Sequence, residues 1–328
     1  MHQGTIGVGI AGFWHVHAHD YARDATQHPA TQVVALWDPE EQNREDAHRK
    51  LSVPAYDDLD AFLARPEVQG ITVTTATNEH TEVISRALKA GVHVFTEKLL
   101  APTVDECEAL IALARENNVA LAVSLPRLSE PVVRTTRSLI DRGALGDVTY
   151  ARVRLAHDGW IANWLPDRFA DPVAAIGGAF ADLGCHPAYV IQHVLGPQPA
   201  SVSAEYGRMT GREVEDNAVV TARYDSGAIG VAEASFVTTP GAFALEVRGT
   251  TASLLYGYGR DELIAKGGEF GDEWVSLELE RPAPSPFDNW VSAIYGDADT
   301  TANLTAATNL TRFIVAANTA AEQKGTAR

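Results

Sequence analysis

Three groups of residues in this chain have the types and spacing that chemistry needs. Asp182 and His186 lie four apart, on one face if the segment is helical. A carboxylate beside an imidazole fixes its tautomer and steadies the imidazolium, as a general base requires; an N-terminal helix carboxylate and a core histidine leave the same pattern. Glu97 and Lys98 are adjacent. On a loop they are an ordinary solvated ion pair, whereas at the carboxyl end of a buried strand they sit where ligands gather. The third group is the turn Gly9-Ile10-Ala11-Gly12-Phe13-Trp14-His15-Val16-His17, with Asp38 at the end of the next apolar run. Such a turn sets a pyrophosphate against a helix N-terminus, and the acidic residue accepts hydrogen bonds from ribose hydroxyls while repelling a 2′-phosphate. Counted from Gly12, Trp14 and His17 stand where G-x-G-x-x-G has its second and third glycines, so a purely structural turn fits equally well. Asp38 equally suits a cap on the helix after Pro39. His15, His17 and His19 are metal-ligand types, but no carboxylate or Cys is spaced to join them, and no metal is expected.

The elements that must position these groups are legible in the apolar pattern. Runs at 5–12, 33–37, 71–74, 92–96 and 120–123 alternate with helical stretches at about 13–26, 40–51, 82–90 and 104–117. Strands alternating with helices imply crossover connections and a parallel sheet covered on both faces. Residues 1–125 therefore predict a doubly wound Rossmann domain. Thr75, Thr77 and His80 follow one of its strands and Glu97-Lys98 the next, both at carboxyl ends. Beyond 125 the rhythm changes. After a helix at 131–142, β-rich runs at 148–155, 218–224, 228–236, 242–248 and 252–256 are separated by Gly or Pro turns, with Asp225-Ser226-Gly227 a hairpin signal. Residues 126–328 predict a second, α+β domain with a large, mainly antiparallel open sheet, and an Ala/Thr-rich helix near 300–322 that packs back on the first domain.

Composition narrows the partners. With 26 Lys+Arg against 43 Asp+Glu, the net charge is -17, which repels phosphate backbones and argues against nucleic acid and anionic membranes. Cys107 and Cys185 are the only cysteines and are far apart, so neither a disulfide framework nor a thiolate metal site is indicated, and a reducing cytoplasm is expected. The N-terminus lacks the charge and apolar run of a leader, and no window approaches a membrane span.

The succession of a Rossmann βα turn, Thr-x-x-x-x-His at 75–80, Ala-Gly-x-His-Val-x-x-Glu-Lys at 90–98 and Asp-x-Gly-x-His at 182–186 resembles the glucose-fructose oxidoreductase/inositol dehydrogenase (Gfo/Idh/MocA) family. The resemblance extends to Glu215-Asp216-Asn217-Ala218 before a strand and hairpin. It implies an NAD(P)-dependent oxidoreductase that moves hydride between the nicotinamide and a secondary alcohol or ketone of a sugar, inositol or related polyol, with NAD favoured over NADP through Asp38. By position it makes Lys98, Asp182 and His186 the catalytic residues. His186 takes the hydroxyl proton, Lys98 steadies alkoxide charge and Asp182 orients the imidazole. It implies cofactor contacts from Gly12, Phe13, Trp14, Asp38, Thr75, Thr77, His80, Glu97 and Lys98, substrate contacts from Arg127, His157, Trp164 and His186, and a homodimer or homotetramer through the second sheet. Trp160 and Arg168 lie in the same stretch; packing accounts for the tryptophans equally. Leu99 stands where the family has Pro, Tyr189 where it often has a second Asp, and Ala76 where it has Pro. Two rival readings share these residues: a redox-assisted glycoside hydrolase or lyase, and a nucleotide-binding regulator without turnover.

Overall fold

The run Ile6–Ala11 (β1) is buried along its whole length, as expected of a central parallel strand. The computed structural model describes residues 4–326; the first three, part of the N-terminus just mentioned, and the last two lie outside it. After β1 come α1 (Ala18–Gln27), β2 (Thr31–Trp37), α2 (Glu41–Leu51), β3 (Ala55–Tyr56), α3 (Leu59–Leu63), β4 (Gly70–Val73), α4 (His80–Lys89), β5 (His93–Thr96), α5 (Val104–Glu116) and β6 (Leu121–Val123). The six strands form one parallel sheet in the order β3-β2-β1-β4-β5-β6. The order reverses between β1 and β4, the crevice where doubly wound sheets bind ligands. Helix α5 opens on a capping box, Thr103 accepting from the Glu106 amide while Glu106 reaches back.

Residues 126–283 begin with α6 (Pro131–Asp141) and β7 (Val148–Ala156), followed by α7 (Ala179–Asp182), α8 (Cys185–Leu195), β8 (Ser201–Gly207), β9 (Asn217–Arg223), β10 (Ile229–Ser235), β11 (Ala242–Gly249), β12 (Ala252–Tyr256), β13 (Ile264–Gly267) and β14 (Val275–Ser276). The eight strands form one sheet, antiparallel except where β10 runs parallel to β7. β8, β13 and β14 lie outside the runs legible in the sequence, being short or carrying few β-branched residues. Helix α8 is buried along most of its length and packs on β7 and β10, so closely that a Cβ on Gly230 would lie 2.5 Å from Ile191.

The chain divides into two compact units, Met1–Leu125 with Pro284–Thr308, and Pro126–Ala283 with Asn309–Arg328. The expectation that 126–328 stay together is corrected at 284–308. There α9 (Pro286–Ile294) puts Trp290 and Phe287 into the first unit's core, their rings 5.9 and 5.4 Å from Phe95. α10 (Thr301–Thr326) starts in the first unit, where the Asn303 amide bonds both backbone groups of Val123 at 2.8 and 2.9 Å, and ends in the second.

Candidate active site

In the first unit, chemistry-bearing side chains gather at the carboxyl ends of β1, β4 and β5. Gly12 leaves β1 at φ +87, and a Cβ there would lie 2.6 Å from Thr75 Cγ2 and 2.8 Å from its amide nitrogen, so only glycine fits. The helix expected directly after it begins only at Ala18. Three of the intervening amides are engaged elsewhere, Phe13 to Asp38 Oδ2 at 2.6 Å, His15 to the Thr74 carbonyl at 2.9 Å and His17 locally to His15 Nδ1 at 3.2 Å. Asp38 is buried and also accepts from the Glu40 amide and Asn43. Burial pushes its carboxyl up, and these hydrogen bonds oppose the shift. Thr75 Oγ1 is buried beside Gly12 with no hydrogen-bond partner among the described residues. A turn that admits no Cβ, a carboxylate at the next strand end and an unsatisfied hydroxyl between them fit a dinucleotide. Phe13 and Thr77 are buried close by and Trp14 is half-buried.

Glu97 and Lys98 are both buried at the end of β5, Lys98 Nζ donating to Glu97 Oε1 at 3.1 Å. Glu97 also accepts from the Tyr21 hydroxyl and lies 3.1 Å from His17 Nδ1. Burial opposes its charge, but Lys98, His15 and His17 around it hold the carboxyl well below the usual range. Lys98 Nζ lies 3.4 Å from His15 Nε2. The structure thus supplies the carboxylate that sequence spacing left missing: ligand atoms of His15, His17 and Glu97 lie within 4.8 Å of one another, a set that could hold a metal ion. The Lys98 ammonium already sits against two of the three.

The Lys98-Leu99 peptide is cis, at the position where Leu99 stands for the family's proline. His80 supports this loop. It is fully buried and its Nδ1–H donates to the Leu99 carbonyl at 2.6 Å. Burial pushes its pKa down to about 4. Tyr21, which sequence reasoning missed, closes the polar shell of Glu97; its place on the buried face of α1 was the available signal.

In the second unit, Asp182 and His186 do not share one helix. α7 ends at Asp182, Leu183 and Gly184 intervene, and α8 begins at Cys185 with His186 as its second residue. A Cβ on Gly184 would lie 2.4 Å from the Phe180 ring, so the chain bends at glycine. His186 Nδ1 lies 2.8 Å from the Tyr189 oxygen. Burial lowers the pKa of His157, and the charges of Asp182 and Asp158 raise it. His157 stacks on Phe236 and meets Trp164 at 4.6 Å, the indole being half exposed. Trp160 is buried packing. The Arg127 guanidinium is paired with both Glu130 oxygens and stacked 4.3 Å over Phe243. Glu215 is buried and positions α7: its Oε1 accepts the Gly178 and Phe180 amides at 3.1 and 2.9 Å and its carbonyl the Ala179 amide at 2.8 Å.

Two sequence profiles match the chain: "Oxidoreductase family, NAD-binding Rossmann fold" over residues 2–125 and "GFO/IDH/MocA C-terminal domain" over residues 133–255. The chain belongs to the Gfo/Idh/MocA family. As a Gfo/Idh/MocA protein it is 28% identical over 324 residues to the scyllo-inositol 2-dehydrogenase (NAD(+)) of Bacillus subtilis, covering 92% of this chain and 90% of that one. It is 25% identical to the levoglucosan dehydrogenase of Pseudarthrobacter phenanthrenivorans, over 80% and 75% of the two chains. The crystal structure of GenD2 from gentamicin A biosynthesis in complex with NAD superposes with a TM-score of 0.83 at 25% identity, covering 98% of this chain and 95% of that one. The Gfo/Idh/MocA chain is thus an NAD-binding oxidoreductase whose relatives are sugar and polyol dehydrogenases. Among the described residues no helix is long and apolar enough to cross a membrane.

Proposed function

We propose that this chain is an NAD-dependent dehydrogenase that interconverts a secondary alcohol and a ketone on an inositol, a sugar or a related polyol. The observation that carries the reading is the buried Glu97–Lys98 pair at the end of β5, beside a glycine turn that fits a dinucleotide. When bound, the nicotinamide supplies or accepts the hydride. Lys98, held as an ammonium by Glu97, donates a hydrogen bond to the reacting oxygen and steadies its negative charge. His186 is the catalytic residue proposed in the second unit. Trp164 and His157 offer flat apolar faces to a ring that carries hydroxyls on its rim. Gly12, Phe13, Trp14, Thr75 and Thr77 form the cradle for the nucleotide, and Lys98, rather than a metal ion, is the cation of the His15–His17–Glu97 cluster.

NAD is favoured over NADP by charge. Burial raises the Glu79 carboxyl, and the charges of Asp38, Glu82 and Glu40 raise it further, so carboxylates gather where a 2′-phosphate would sit. Arg44, the nearby cation, donates to the Asp38 and Pro39 carbonyls at 2.9 and 2.8 Å. Cys107 and Cys185 are both buried free thiols, which suits a reducing compartment. The second unit's sheet exposes Val219, Ile229 and Val275, with Tyr258 and Trp274 exposed just outside its strands, in keeping with assembly of copies through that sheet.

Thermal-shift titration of cofactor-stripped protein tests the reading, since a ligand of the native state stabilises it by RT ln(1+[L]/Kd). NAD and NADH should raise Tm and their 2′-phosphorylated forms should not; no shift with any of the four overturns it. A panel of inositols and anhydrosugars then identifies the alcohol by net nucleotide reduction, which a redox-assisted hydrolase would not show. Lys98→Ala should cost on the order of 10²–10³-fold in kcat.

A further inference from the structure

Tyr189 and His186 lie three apart on α8, and Tyr189 is buried. Among the described residues its hydroxyl oxygen meets two polar groups. The Arg127 backbone N–H donates to it at 3.1 Å, and His186 Nδ1 lies 2.8 Å away, the two rings meeting edge-on at 69°. The Arg127 amide is a donor only, so it cannot take the phenolic proton. A buried hydroxyl hydrogen without an acceptor is costly, and the one acceptor within reach is the lone pair of His186 Nδ1. Burial pushes the Tyr189 phenol well above its ordinary value, so the proton stays on the tyrosine.

We propose that Tyr189 is a positioning residue that locks neutral His186 in the Nε2–H tautomer, so that the histidine presents a donor, not a lone pair, to the oxygen of a bound ligand. The proton-accepting role that sequence assigns to His186 needs a free lone pair on the imidazole. With Nδ1 engaged by Tyr189 and Nε2 carrying the hydrogen, the resting ring has none. An acidic side chain at 189 would do the opposite. A carboxylate accepts Nδ1–H, leaves the lone pair on Nε2 and favours the imidazolium. The exchange of a carboxylate for a phenol at one position therefore turns the histidine from a proton acceptor into a group that hydrogen-bonds a carbonyl or alkoxide oxygen. That consequence for catalysis rests on the dehydrogenase reading, taken in the direction of ketone reduction, where the Lys98 ammonium can give up the proton that the new alkoxide takes. The tautomer itself does not.

The test is a long-range proton–nitrogen NMR correlation on the full chain labelled with ¹⁵N-histidine, the His186 signals being assigned by their loss in His186→Asn. In the wild type, Nδ1 should resonate as an unprotonated ring nitrogen and Nε2 as a protonated one. In Tyr189→Phe, which keeps the ring and removes the hydroxyl, the Nε2–H preference should weaken or reverse. A wild-type spectrum with the proton on Nδ1 overturns the proposal, whatever becomes of the variant. An unchanged His186 pattern in folded Tyr189→Phe also overturns it. Absence of turnover with every alcohol and ketone, beside the predicted spectrum, would count against the dehydrogenase reading alone.

Discussion

Glu97–Lys98 in the first unit and His186–Tyr189 in the second hold buried polar groups by opposite means. The first is ionic: a carboxylate out of water, ringed by an ammonium, two imidazoles and a phenol. The second is neutral, a phenol hydrogen on an imidazole lone pair with a backbone amide behind it. A buried ion pair adds little net stability while intact but is expensive to half-remove. A neutral hydrogen bond is cheap in both respects. The comparison teaches that Glu97 and Lys98 compensate each other's charge, whereas the His186–Tyr189 contact is a directional bond.

Breaking one partner in each cluster should show the contrast. Glu97→Gln removes the carboxylate from the buried ionic cluster and is expected to cost about 3–5 kcal/mol in urea denaturation. Tyr189→Phe should cost about 1 kcal/mol. Equal losses would mean the two sites are held alike. The ionic cluster has a further signature: zinc should not stabilise the wild type, but should raise the Tm of Lys98→Met, where the His15, His17 and Glu97 donors are left without a cation.

Protonation sharpens the comparison. His80 is pushed down to about 4 in the fold, against about 6.5 in the unfolded chain. Between those values the unfolded chain binds the extra proton, so the stability present above pH 6.5 is lost as pH falls toward 4, by about 3 kcal/mol. Burial lowers His93, His157 and His193 in the same direction. His80→Asn, which keeps an N–H donor, should therefore flatten the slope without abolishing it. Glu97 is held low and loses its contribution only as pH falls through its depressed value, below this window. An unaltered slope in His80→Asn would show that His80 is not buried neutral.

A further effect concerns the turn before α7. Glu215→Ala removes the acceptor of two buried amides and should cost roughly 1–3 kcal/mol, while Glu215→Gln keeps a carbonyl oxygen there and should recover most of it. Equal losses in both would point to the charge rather than the hydrogen bonds.

Much of this was legible in the sequence. Periodicity marks the parallel strands of the first unit, because strands buried on both faces read as unbroken apolar runs. Gly12, Asp38 and Glu97-Lys98 stand out because each closes such a run. What stayed illegible depends on partners distant in sequence. Tyr21 reaches Glu97 across 76 positions, and His80 reaches Leu99 through a loop whose path no spacing encodes. Asp182 and His186 do not share the one helix that their spacing suggests, because the stretch divides into two helices at Leu183 and Gly184. Tyr189 was visible only as a departure from the family pattern, and its meaning needed the Arg127 amide that faces it.

The return of residues 284–308 to the first unit bears on how the chain is made. A ribosome that has delivered the first 125 residues has released all six strands of the parallel sheet. It has not yet released Trp290, whose indole packs so closely over Gly70 that a Cβ there would lie 2.8 Å away. The nucleotide half therefore waits with an uncovered apolar patch while the whole second sheet is synthesised, and seals only when α9 emerges. A gene cut after residue 125 would yield the strands without their cover, so expressing the first unit alone calls for grafting 284–308 onto its end.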